Sequence, residues 1–311
     1  MQTIKLKSKD NAYIAEILPS RGASCISLCH TPSGMQILRT PKSEDTYVTD
    51  NAFLYGTPVL LFPNRITHGR FTFCGREYQL PINEPQTDCF IHGALHETRM
   101  ETQKVGEDFA VFAYHATKEA PYLGCFPHAF FLTLRYDLGA AGMRQTLSVT
   151  SESDSTMPMG LAYHTTFRLP FMPGGDIRNV RLSLPVGDEF ERDMRDFSMT
   201  WNLVRDKDFA SKLAKGEICP AENVISRHFR RPAGAEMRLT DLASGHGIFY
   251  RADDKFKFWM LYNGDNKDLL CLEPQTWMNN GVNAPEKMGD TGVLGILPGQ
   301  TMTFVTEMGA F

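Results

Sequence analysis

No stretch of this 311-residue chain approaches the length of apolar sequence that a membrane-spanning helix needs, which removes roles of that kind. A basic stripe is missing too. With 32 Lys and Arg against 36 Asp and Glu, a formal net charge of -4 and a pI near 6.1, there is no electrostatic footprint for nucleic acid or an anionic membrane. The seven cysteines, Cys25, Cys29, Cys74, Cys89, Cys125, Cys219 and Cys271, form no C-x-x-C pair and read as buried thiols rather than a disulfide framework or metal cage. Lys5, Lys7, Lys9 and Asp10 interrupt the opening residues where a secretory signal would be apolar, so a cytoplasmic location is expected. Low-complexity tracts, Ser/Gly/Pro-rich linkers and fixed-period repeats are also lacking, and residues 1–311 are read as one domain.

What the chain has in quantity is short runs of β-branched and aromatic residues bounded by Gly, Pro, Asn and Asp, the mark of an all-β protein. Arg70 to Cys74 faces Glu77 to Leu80 across Gly75-Arg76, and Phe109 to His115, Phe130 to Leu138 and Met143 to Ser151 form a meander. Further strands are expected over Ile177 to Leu184, His246 to Arg251, Phe256 to Tyr262, Leu269 to Glu273 and Thr301 to Glu307. Only Arg205 to Lys215 reads clearly helical, with Phe209 and Leu213 on one face and Gly216 placed to stop it. Strands in this number must bury their inner faces against one another. The expectation is a large antiparallel β-sandwich with few short helices, its functional groups on a concave face or at a rim.

Four segments carry side chains suited to chemistry. GTPVLLFPNRI, from Gly56 to Ile66, ends an apolar strand in a Pro-Asn-Arg corner that places Asn64 and Arg65 at a strand exit, as ligand-binding groups or as a solvated turn. LPINEPQTDCFIHG delivers His92 just before Gly93, whose missing side chain leaves room for a ligand near the backbone. That imidazole serves either a ligand hydroxyl or a turn carbonyl; His92 with His96 as a zinc pair is disfavoured, since no H-E-x-x-H pattern exists. MPMGLAYHTTFRLP places His164 on the face of a strand opposite Tyr163 and Thr165, as a functional or a core histidine. LLCLEPQTWMNN ends a buried strand at Glu273 and Pro274, where desolvation would raise the carboxyl pKa as a general base requires. The alternative for Glu273 is a strand-end ion pair. Trp277 beside it is either a stacking platform for a ligand ring or core packing.

The order and content of these segments resemble the aldose 1-epimerase (galactose mutarotase) family over nearly the full length. The likeness rests on PNRI followed by G-R-F-T-F-x-G-x-x-Y-x-L-P-x-N from Gly69 to Asn83, the His92-Gly93 pair, the aromatic stretch Tyr122 to Phe131, and Leu297-Pro298-Gly299. The resemblance implies a galactose mutarotase-like supersandwich acting on a monosaccharide. A monomer or homodimer is expected on general grounds, two-fold dimers being the commonest soluble oligomers. Glu273 then matches the general base that takes the proton from the anomeric hydroxyl, and His164 the general acid that protonates the ring oxygen. His92 matches a second histidine that polarises that oxygen, and Arg65 with Asn64 the sugar-binding pair. No metal, nucleotide or redox cofactor is implied. One departure stands out: Ser226, in ISRHF, lies where many members carry a sugar-binding aspartate, and His228, Arg227 or an acid between Glu189 and Asp196 are the candidates to replace it. Two alternatives remain. One is a hexose-phosphate 1-epimerase using Arg99, Arg168 or Arg178; the other is a non-catalytic carbohydrate-binding protein, against which the presence of both Glu273 and His164 argues.

Overall fold

The computed structural model describes residues 2–264 and 268–311, and strands dominate it. The expected meander is present: Phe109–Ala116, Phe130–Gly139 and Gly142–Ser151 pair antiparallel in turn. Phe130–Gly139 and Gly142–Ser151 alternate buried with more exposed side chains, the period of a sheet with one face on the core. Thr301–Ala310 then pairs with Gly142–Ser151, and Gly247–Ala252, Glu236–Asp241 and Val180–Ser183 follow; Glu101–Val105 forms the other edge of this eight-stranded outer sheet.

A second eight-stranded sheet carries the site. Its order is Met199–Leu203, Glu189–Arg192, Ser226–Arg230, Phe258–Tyr262, Leu269–Gln275, Ala162–Tyr163 and Val59–Leu60, with Thr165–Arg168 also paired to Leu269–Gln275. One apolar cluster joins the two sheets, drawing Leu132, Leu134, Leu147 and Phe304 from the outer sheet and Trp259, Leu261, Leu270 and Leu272 from the site sheet. Tyr250 crosses between them: its ring packs on Phe167 and its hydroxyl lies 2.8 Å from Thr165 Oγ1, so the buried phenol is not left without a partner. A smaller four-stranded sheet from Ile4–Lys7, Tyr13–Leu18, Ser24–His30 and Met35–Gln36 contributes to the same cluster.

Several local expectations change. The hairpin strands are Arg70–Phe73 and Arg76–Gln79, and the turn is Cys74-Gly75, at φ 47° and 77°, one residue earlier than expected. Two successive left-handed residues are what a tight hairpin turn needs to match strand twist. Leu269–Gln275 does not stop at Glu273 but runs on through Pro274, which opposes Trp259. A proline gives no ladder N–H, and the strand on its other side is itself broken between Tyr163 and Thr165. The helix begins at Asp208 rather than Arg205 and ends at Gly216, φ 74°. A second helix, Glu44–Thr49, was not expected; it is short and started by Ser43, whose Oγ accepts from the Thr46 N–H. The cysteines are all free, but Cys74 and Cys125 are exposed rather than buried. Among the described residues, no helix is long and apolar enough to cross a membrane.

Candidate active site

Strand register brings the two distant motifs together. Thr165 opposes Leu272 and Ala162 opposes Gln275, so His164, at the break between two short strands, falls opposite Glu273. Its Nε2 lies 3.1 Å from Glu273 Oε1, and both residues are buried. The second carboxylate oxygen accepts from Gln275 Nε2 at 2.9 Å, two residues along the same strand face. On the other side the row continues through Met260, opposite Glu273, to His228, opposite Met260.

His92 and Asn64 both adopt left-handed backbone, φ 59° and 57°, in the two loops that face this row. Such conformations are costly for residues with a Cβ and persist where surrounding contacts enforce them. Here the Asn64 N–H donates to His92 Nδ1 at 3.2 Å. A backbone N–H can only donate, so Nδ1 is an acceptor and the ring carries its proton on Nε2. Burial, followed by the nearby His164 and Arg65, holds the His92 pKa well below its ordinary value, so this imidazole is a neutral N–H donor.

Burial also governs the central pair. It pushes Glu273 up to about 8, against the pull of the Gln275 amide and of Arg192 and Arg65, and pushes His164 down to about 3. Over the wide range between, the two share a single proton and carry no net charge, which is the least costly state for a contact removed from water.

Glu273, His164, His92, Asn64 and Arg65 all line one cavity of about 440 Å³, large enough for a small ligand such as a monosaccharide. Arg65 is gripped from three sides. Its guanidinium forks onto Glu84 at 2.6 and 2.7 Å, its backbone N–H donates to Asn279 Oδ1 at 3.2 Å, and its carbonyl accepts from the Asn280 N–H at 2.9 Å.

Trp277 is not on the cavity wall. It is fully buried, stacked 5.0 Å from Phe62, and its Nε1 donates to the Pro63 carbonyl at 3.1 Å, so its ring holds the Pro-Asn-Arg corner from behind instead of offering a face to a ligand. The space beside Gly93 is likewise taken by protein: a Cβ there would meet the Leu61 carbonyl at 2.0 Å and the Tyr122 hydroxyl at 2.5 Å. His92 and His96 both pack their rings on Phe53, which also touches His164. Ser226 does line the cavity. His228 is sealed beneath Phe190 and Phe258, and Arg227 pairs with Glu189 at 2.9 Å, so neither reaches the cavity. Arg99, Arg168 and Arg178 stand outside it as well, Arg178 in an exposed pair with Asp176.

Phe53, Glu84, Arg192, Phe197 and Tyr262 also line the cavity and were not singled out from the sequence. Glu84 lay inside the LPINEPQTDCFIHG segment, and its spacing from Arg65 carried a signal only once the hairpin folded back. Arg192 gave none: it sits in a charged, ordinary-looking stretch whose orientation is set by pairing with Ser226–Arg230.

The profile of the aldose 1-epimerase family matches residues 3–309. A galactose mutarotase-like protein from Clostridium acetobutylicum superimposes with a TM-score of 0.92 at 26% identity, over 99% of this chain and 95% of that one. The galactose 1-epimerase of Lactobacillus acidophilus NCFM shares the fold, with a TM-score of 0.67 at 16% identity over 100% of this chain and 98% of that one. The uncharacterized protein YphB of Escherichia coli (strain K12) is 30% identical over 112 residues, a match spanning 36% of each protein.

Proposed function

The chain belongs to the aldose 1-epimerase family, and from that premise we propose that it interconverts the α and β anomers of a hexose. Glu273 removes the proton of the anomeric O1 hydroxyl while His164 protonates the ring oxygen, and the C1–O5 bond breaks to an open-chain aldehyde. Rotation about C1–C2 and reclosure on the other face reverse both transfers. Each positioned group contributes about 10²- to 10⁴-fold. His92 donates its Nε2–H to the ring oxygen, and Arg65 and Asn64 fix the sugar hydroxyls. Only protons move, so the reaction as written calls for no cofactor.

The observation that supports this reading most is the 3.1 Å separation of His164 Nε2 and Glu273 Oε1 on the cavity wall. O1 and O5 are bonded to the same carbon, so an acid and a base serving them must stand side by side. A sugar whose O1–H donates to Glu273 favours the ionised carboxylate and thereby moves the shared proton to His164, where the acid needs it.

We take residues 1–311 as one domain, a view supported by one large core cluster that draws on residues from Leu6 to Met308, beside two small ones. We take the protein as a cytoplasmic monomer or homodimer; its seven unpaired thiols fit a reducing compartment. Polarimetry on freshly dissolved α-glucose and α-galactose tests the reading, comparing the wild type with Glu273→Gln and His164→Asn. Faster equilibration with the wild type alone is the expected result; equal rates for all three across several sugars would leave a carbohydrate-binding protein in its place.

A further inference from the structure

Resting on the mutarotase reading of this cavity, we propose that its sugar substrate carries an anionic group, a carboxylate or a phosphate ester, and that Arg192 receives it. Arg192 ends the Glu189–Arg192 strand, lines the cavity, and is 8% exposed. Its Nη2 donates to the Ser226 carbonyl at 2.7 Å and to Ser226 Oγ at 3.0 Å, and its guanidinium lies 5.9 Å from the centre of the Phe197 ring. Among the described residues, no carboxylate pairs with it. None of its nitrogens is sealed away without a partner, so its remaining N–H groups open onto the cavity.

The other charges there are already matched. Arg65 is neutralised by Glu84, and Glu273 shares its proton with His164. Burial draws the Arg192 guanidinium down to about 10, which still leaves it fully charged at neutral pH. A cation so far removed from water is costly without a counter-ion. Among the described residues, the one polar side chain that hydrogen-bonds it, Ser226, offers a dipole where a carboxylate would cancel the charge. The cavity is thus left with one surplus positive charge facing inward, and a ligand anion completes it.

Placement sets where on the sugar that anion sits. Ser226 opposes Tyr262, and Tyr262 opposes Cys271 on the Glu273 strand. The Arg192 strand therefore lies three strands from Glu273, about 14 Å between backbones at about 4.8 Å per strand. The charged group belongs at the end of the ring remote from C1.

Sugars that bind but have no free anomeric hydroxyl test this directly: 1,5-anhydroglucitol against its 6-phosphate, and methyl β-glucoside against methyl β-glucuronide, each titrated calorimetrically into the full chain. We expect at least one anionic member to bind about tenfold or more tightly than its neutral twin, as charge-assisted hydrogen bonds allow. Which pair shows the preference tells phosphate from carboxylate. The preference should collapse in Arg192→Gln and be largely kept in Arg192→Lys. Equal or weaker binding of both anionic members to the wild type, a comparison that needs no variant, would overturn the proposal, as would a preference undiminished in Arg192→Gln. Exchange NMR on the free sugars is a separate arm. Absence of catalysed α–β exchange with every sugar would end the mutarotase reading, while the inert pairs would still decide the anionic group.

Discussion

On the outer sheet, Arg135, Arg144 and Arg251 each stand beside a carboxylate, of Asp137, Glu307 and Glu236, with the arginines about half exposed. On the site sheet, Glu273, His164 and Arg192 are almost wholly buried, and each is shifted from its ordinary protonation behaviour by that burial. The strands are alike; the difference lies in what covers their second face. Water covers the outer sheet, so its charges are cheap, screened and individually worth little. Loops carrying Phe53, Asn64 and His92 cover the site sheet, so its charges cost stability and are correspondingly reactive.

The comparison breaks if buried and exposed charges respond alike to substitution. The largest expected effect is on turnover: Glu273→Gln and His164→Asn should each lower kcat/KM by about 10²- to 10⁴-fold in exchange NMR, with the fold retained by circular dichroism. The pH profile comes next. The Glu273–His164 pair holds one proton between about 3 and about 8. Below that window both groups are protonated and the base is lost; above it both are bare and the acid is lost. The catalysed component of kcat/KM should therefore be flat near neutrality and fall about tenfold per unit above about 8.

A smaller effect concerns stability. The native carboxyl of Glu273 stays protonated to about 8, whereas in the unfolded chain it ionises near its ordinary 4.5. Native stability from this group is thus present in acid and lost as pH rises through that interval. The melting temperature of Glu273→Gln, measured relative to wild type, should rise by a few degrees from pH 5 to pH 8.5 and level off beyond; a constant difference would show that burial imposes no ionisation cost. Smallest of all, Arg144→Gln on the outer sheet should change stability by less than about 0.5 kcal/mol and leave turnover unchanged.

The outer sheet was the easier half to read from sequence. The alternation in Phe130–Gly139 and Gly142–Ser151 is written in the residues themselves, because one side of each strand meets water and the other the core. Leu269–Gln275 is buried along its whole length, so alternation could not mark its end, and the proline that seemed to terminate it is accommodated inside the sheet. Trp277 shows the same limit at the scale of one side chain: a large aromatic beside a carboxylate looks like a platform, and only its hydrogen bond to Pro63 shows it to be a brace.

By itself, the sequence determined the all-β class, the meander and the helix near residue 213 that Gly216 stops, since composition, period and turn chemistry are local properties; the five polar residues that share the cavity were legible through the family resemblance. Tertiary structure alone decided that His164 faces Glu273, that Arg65 is cancelled by Glu84, and that Arg192 is cancelled by no carboxylate among the described residues. Those are facts of strand register and charge balance. Each depends on which distant residues are brought within a few ångströms, a quantity that no window along the chain contains.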